Sequence, residues 1–352
     1  SLPGLEWLRA VKLYTILGAD VYLFPTLIAL GFAAYVIFLN FRGASSAAKL
    51  QAFLTKALLC GMLLAMGVSL FTGSPDNAMP VFSQVTGAGG GKAATEGASL
   101  FAGIVSVLVL TPFFYAGFDT IPQQAEEAAE GLNWNKFGKI ISLALLAGGF
   151  YMVCIYSFGT ILDWHEFVKS PVPALACLKG INMLLYLAML VIATLGPMGP
   201  MNSFYGATSR IMLAMGRKGQ LPEKFAEVDP KSGAPKLACV VLGVITVIGP
   251  FLGKNMLIPL TNVSALAFIF SCGMVALACL RMRFTEPDLP RPYEVPGGKF
   301  GIGLAIAACA IIIGLLVIPF SPASLNMVEW SIVIGWLAIG LALMAFTNSR
   351  KK

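Results

Sequence analysis

Long apolar runs, separated by short polar stretches, set the pattern of this chain. They keep no two-residue alternation, so they read as helices and not as strands. A window of about 20 apolar residues is the length that crosses a bilayer as a helix. By that measure the sequence predicts nine spans, at 14–41, 50–72, 98–129, 137–162, 179–216, 236–252, 256–283, 300–320 and 328–347. The third and fifth are too long for a simple crossing and imply a break or an extension beyond the bilayer.

Two polar stretches are long. The stretch 72–97 is rich in Gly, Ser, Thr and Ala and reads as a flexible loop. The stretch 217–236 is punctuated by proline, with a short helix expected at "PEKFAEV". The segment "RFTEPDLPRPYEVPGG" (283–298) should be extended.

Composition strengthens the membrane reading. The 352 residues are 57% hydrophobic and 12% charged, with a mean hydropathy of +0.82. A soluble domain carries about 25% charged residues, and a membrane barrel would show alternating segments of about ten residues. The net charge of +7 reports topology. With the C-terminus in the cytoplasm, Arg42, Lys49, Lys136, Lys139, Arg210 and most other basic residues fall in cytoplasmic loops. Arg9, Lys12, Lys92, Lys169, Lys179 and Lys254 fall on the other side. Basic residues spread over separate loops do not make a nucleic-acid surface. Nine spans put the N-terminus outside, without a signal peptide, and the chain opens on Ser1. The expectation is a fragment whose earlier spans are missing.

Cofactor chemistry finds little support. The seven cysteines form no CxxC pair, and those within spans pack as small hydrophobes. His165, in "DWHEF", is a surface residue on this reading. Neither a metal nor another cofactor is expected.

Three features exceed lipid-facing chemistry. The third span continues into "FFYAGFDTIPQQAEE" (113–127), with Gly117, Asp119 and Pro122 partway through a hydrophobic segment. Gly and Pro free backbone groups that need a protein or water partner at membrane depth. An intramembrane carboxylate costs about 2.5–3.5 kcal/mol to insert and usually faces a cavity or a partner. A packing kink is the plainer reading of Gly117 and Pro122. Glu126 and Glu127 read as a solvated helix end or partners of a loop Arg. The second feature is "LGPMGPMN" (195–202), where a kink is favoured. The third is Lys56 in "QAFLTKALLCGMLL". Its stem either snorkels to the interface or holds a charge inside the protein.

Together these stretches resemble the amino acid–polyamine–organocation (APC) superfamily. "FFYAGFDTIPQQAEE" resembles the sixth-helix signature of its amino-acid permeases. "SFYGATSRIMLAMGRKGQLPEKFAEVDPKSGAPKLA" (203–238) resembles the eighth helix and the loop after it. "FLNFRGASSAAKLQAFLTKALL" (38–59) resembles the junction of helices four and five, and "RPYEVPGG" the loop before helix eleven. The resemblance implies an all-α integral membrane fold, the LeuT-like bundle of two inverted five-helix repeats. The nine spans would be family helices four to twelve, with the first three missing. Residues 14–72 would end the first repeat, 98–283 would form the second, and 300–347 would be two C-terminal helices, all in one transmembrane domain.

The resemblance further implies a secondary transporter of amino acids or related amines in the cytoplasmic membrane, working by alternating access, proton-coupled or as an exchanger. Its partners would be that substrate, protons and the lipid bilayer. In such transporters the sixth helix unwinds, and its free carbonyls accept the substrate ammonium. Gly117 would permit the unwinding and Phe113 would gate the site. Carbonyls near Phe113 and Ala116 would take the amine. Phe118, Asp119 and Phe204 would line the site. A fifth-helix Lys replaces the sodium ion in proton-coupled members, which implicates Lys56 near Ser209. The competing classes are an intramembrane enzyme and a channel. The first lacks a convergent nucleophile–base or metal group. The second lacks a ring of like groups or a repeated filter.

Overall fold

The computed structural model describes residues 6–79, 100–123, 133–167, 173–291 and 293–349. Glu126, Glu127 and most of the 72–97 loop lie outside the described residues.

The helices are α1 (Leu23–Phe41), α2 (Ala44–Thr72), α3 (Leu100–Tyr115), α4 (Thr120–Gln123), α5 (Trp134–Gly159), α6 (Trp164–Phe167), α7 (Pro173–Ile181), α8 (Met183–Leu195), α9 (Met198–Arg217), α10 (Lys236–Ile248), α11 (Leu257–Thr285), α12 (Gly298–Val317) and α13 (Met327–Ser349). Among the described residues, eight helical stretches are long and apolar enough to cross a membrane. The remaining predicted span, 236–252, is shorter: α10 extended by a 3-10 turn, Gly249–Leu252.

The first predicted span starts late. Residues 14–22 belong instead to an antiparallel hairpin of β1 (Lys12–Ile16) and β2 (Ala19–Tyr22). Its turn places Leu17 and Gly18 both at positive φ, 47° and 73°. Two-residue hairpin turns of the primed type need that geometry. The Lys12 ammonium lies 2.6 Å from the Asp20 carboxylate across the two strands. Asn255 donates to the Leu17 carbonyl, so the hairpin docks on the turn before α11. Hydropathy does not distinguish these residues from the start of a helix.

Three packed clusters hold the bundle. Val36, Leu54, Met198, Tyr205 and Cys239 join α1, α2, α9 and α10. Ala65, Cys154, Phe158, Leu178 and Met189 join α2, α5, α7 and α8. Val109, Leu316 and Leu325 join α3, α12 and the turn before α13. Buried polar groups tie the same helices. Asn40 donates to Asn202 at 3.0 Å, and Asn202 donates to the Ala47 carbonyl at 3.0 Å. Each such bond contributes about 1 kcal/mol, and leaving either amide unpaired costs more. At the start of α13, Glu329 accepts from the Asn326 amide and from Asn262 on α11, both at 2.6 Å. Asn326 accepts from the Glu329 amide in return, so the pair forms a capping box.

The loops correct two smaller expectations. The helix expected at "PEKFAEV" is only a 3-10 turn, Glu223–Ala226. Arg210, assigned to a cytoplasmic loop from its basic character, lies inside α9 and is buried.

Candidate functional site

The third span is interrupted. α3 ends at Tyr115 and the short α4 begins at Thr120. Between them Gly117 takes φ 132°, a conformation that L side chains rarely adopt. Pro112, inside α3, and Pro122, inside α4, do not coincide with the break.

Asp119 stabilises the opening from within. One carboxylate oxygen accepts from the Gly117 amide at 2.9 Å, and the other accepts from the Gln123 side chain at 3.0 Å. The Thr120 hydroxyl donates to the Gly117 carbonyl at 2.6 Å. The backbone closes tight turns here, from the Ala116 amide to Phe113, Thr120 to Gly117 and Ile121 to Phe118, and regains a helical bond only from the Gln123 amide to the Asp119 carbonyl. Among the described residues, no hydrogen bond reaches the carbonyls of Phe114, Tyr115 and Ala116 or the amides of Phe118 and Asp119. Three acceptors and two donors are thus left at one break by part-exposed residues, the orphan groups of an interrupted helix.

Neighbouring helices frame the break. α3 packs on α11, and the Phe118 ring meets Phe268 of α11 edge-on, centroids 6.0 Å apart. α4 packs on α9, the helix of Phe204 and Ser209. Phe113 and Phe204 are part-exposed, at 39% and 36%, and remain available to a ligand. Gly148 of α5 leaves room for the Tyr115 ring, which a Cβ there would strike.

The expected residues therefore fall into two groups. Ala116, Gly117, Phe118 and Asp119 form the interruption, Phe113 lies just before it in the last turn of α3, and Phe204 lies on a helix packed against α4. Lys56 is not brought to Ser209. On α2, Ala47, Gln51, Leu54 and Leu58 share one face toward α9, where Gln51 accepts from Asn202 and Leu58 approaches Gly196. Lys56 is two residues from Leu54 and two from Leu58, about 200° around the helix, and is exposed. Ser209 is buried and engaged elsewhere, donating to the Gly206 carbonyl at 2.7 Å and accepting from Arg210 at 2.8 Å.

Sequence reasoning missed the buried Asn40–Asn202 bridge, Glu329 and the Arg210–Ser209 bond. Each had a sequence signal, a polar residue inside an apolar run or at its mouth, of the kind used for Asp119. His165, read as a surface residue, sits in α6 beside Asp163, 2.6 Å from its carboxylate. Among the described residues, no group of three His, Cys, Asp or Glu is placed to hold a metal.

A bundle of apolar helices, one of them opened partway along, defines a multi-pass integral membrane protein. Residues 11–344 match the sequence profile of the amino acid permease family, and the chain belongs to that family. It is 28% identical to the branched-chain amino acid permease BcaP of Bacillus subtilis over 256 residues, 71% of this chain and 51% of that protein. It is 26% identical to the human cystine/glutamate transporter over 290 residues, 82% of this chain and 52% of the other. A shorter stretch of 131 residues is 30% identical to the aspartate-proton symporter of Bacillus subtilis, covering 36% of this chain and 24% of that one. The chain spans about half the length of the first two relatives.

Proposed function

We propose that this protein is a secondary transporter that moves amino acids or related amines by alternating access, with the interruption at Ala116–Asp119 as part of its substrate site. The observation that carries the reading is the set of carbonyls at Phe114, Tyr115 and Ala116, which no hydrogen bond reaches among the described residues. Oxygens fixed in that way suit an ammonium group, which brings three donors. An unwound stretch is the element transporters use to hold charged substrate groups near the bilayer midplane. Phe113 and Phe204 would close over the substrate, and Phe118 and Asp119 would line it. The names of the relatives support an amino acid as cargo.

The membrane would be the cytoplasmic one, with the C-terminus inside, as the basic residues suggest. The transport mode would be proton coupling or exchange. The exposed face of α2 that carries Lys56 supports the snorkelling role for that residue more than a coupling role with Ser209. Membership of a permease family counts against an intramembrane enzyme.

Uptake of labelled amino acids into vesicles containing the full-length protein tests the proposal. A panel spanning branched-chain, acidic and basic amino acids should show saturable uptake of at least one class. Gly117→Val should lower it by roughly tenfold or more while the protein still inserts. Saturable uptake of the same size in Gly117→Val vesicles would overturn the assignment of the site.

A further inference from the structure

A groove of about 360 Å³ runs between α1 and α10, away from the interruption. Ile37, Phe41, Cys239, Gly243, Val244 and Val247 line it, with almost no polar surface. Gly243 makes the floor: a Cβ there would sit 3.5 Å from the Ile37 side chain and from the Tyr205 hydroxyl. Cys239 to Ile248 spans roughly 14 Å of helix axis, the scale of an acyl chain. α1 is long and apolar enough to cross a membrane and α10 is a shorter apolar helix packed beside it, so lipid is the medium that would meet the groove.

One end of the groove is basic. Arg42 directly follows Phe41 and is exposed, its guanidinium 5.1 Å from the Phe38 ring centre. Among the described residues no carboxylate pairs with it. The neighbouring cation is different: Lys236, at the start of α10, is 2.7 Å from Asp229 and already neutralised. The 229–236 turn lies beside Arg42, because the Ser232 carbonyl abuts Gly43 and Asp229 accepts from the Ser232 hydroxyl. An apolar slot thus has, one residue beyond its lining Phe41 and at the C-terminal end of α1, a guanidinium that no carboxylate pairs with among the described residues. A guanidinium pairs well with phosphate oxygens.

We propose that this groove binds one anionic phospholipid, with an acyl chain laid along Ile37, Gly243 and Val247 and its phosphate on Arg42. The site is separate from the interruption, so its fate does not depend on the transport reading. A zwitterionic lipid offers the same chain and phosphate, but its own cation competes with Arg42, so the site selects for net negative charge.

The test uses the full-length protein purified in detergent, titrated with phosphatidylglycerol or phosphatidylcholine. Binding is read by native mass spectrometry, and position by a photoactivatable phosphatidylglycerol. Wild type should prefer phosphatidylglycerol, with the label on residues 240–247. Arg42→Gln, an exposed change, should weaken phosphatidylglycerol binding by about fivefold and leave phosphatidylcholine unchanged. Val244→Trp, at an exposed position on the groove wall, should lower labelling by either lipid. Undiminished lipid preference in Arg42→Gln would overturn the proposal. So would labelling that ignores Val244→Trp, or a Val244→Cys protein that cross-links to another segment or to a second copy in place of lipid.

Discussion

Two membrane spans in this protein carry glycine and proline where one helix gives way to the next, and they respond differently. At Gly196–Pro197 the chain bends between α8 and α9 but stays right-handed, with φ and ψ of −51° and −51° at Gly196 and −62° and −21° at Pro197. The Gly196 amide still bonds to the Ile192 carbonyl at 2.8 Å, and the Met201 amide to the Pro197 carbonyl at 3.1 Å. At Ala116–Asp119 the chain opens, with Gly117 at positive φ and its amide held by a carboxylate two residues on. Proline removes one donor and kinks a helix. Opening a helix needs a residue that tolerates positive φ and a side chain that replaces the lost backbone partner. "GFD" supplies both, whereas "GPMGP" has the glycines but no side chain placed to replace a lost backbone partner.

The largest effect should come from a side chain at Gly117. Strain of about 1–3 kcal/mol is expected for a β-branched residue at that φ, and uptake by Gly117→Val should fall by roughly tenfold or more. Gly196→Ala should retain most of the uptake, because its backbone is already helical and its nearest foreign neighbour is the Leu58 side chain at 3.4 Å. Equal losses in the two variants would break the contrast.

A smaller effect should separate charge from acceptor at Asp119. Asp119→Asn keeps an oxygen for the Gly117 amide, whereas Asp119→Ala leaves that amide without a partner. The alanine variant should lose about 1–3 kcal/mol of stability, and the asparagine variant less than half of that, read by thermal unfolding in detergent. If both lose the same amount, the carboxylate acts by its charge and not by holding the amide.

The smallest effect concerns a second clamping carboxylate, Asp229 in the loop before α10. The Lys236 ammonium, followed by the Ser232 hydroxyl and amide, lowers the Asp229 pKa from 3.8 to about 2. A depressed folded pKa means that the ionised carboxylate favours the folded turn above about pH 4. That contribution is lost as pH falls from about 4 toward 2. Pepsin nicking of the 229–236 turn should therefore rise across that window. Lys236→Gln should move the rise to higher pH. A nicking profile unchanged by Lys236→Gln would remove the assigned cause.

Much of this was legible in the sequence because membrane insertion is a local, additive property. An apolar run of sufficient length becomes a spanning helix whatever its neighbours are, so the spans were predicted with soft ends. The interruption was legible for a similar reason: the glycine, the carboxylate and the amide it holds lie within three consecutive residues. Where the outcome depends on which neighbour arrives, the sequence was silent. Lys56 could be placed on α2 but not on a face of it, since the buried side of the first half of that helix is set by α9 packing through Ala47, Gln51 and Leu54. Arg210 looked like a loop cation until α9 was seen to bury it. Asn40 and Asn202, 162 residues apart, meet only when α1 and α9 are side by side. The 14–22 segment is apolar enough to begin a helix, and docking against the turn before α11 accompanies its hairpin form. The sequence by itself determined the solvent, the approximate spans and the position of the break. The tertiary structure alone decided faces, burial and long-range partners, because a side chain's surroundings are properties of the packed helices and not of the run it belongs to.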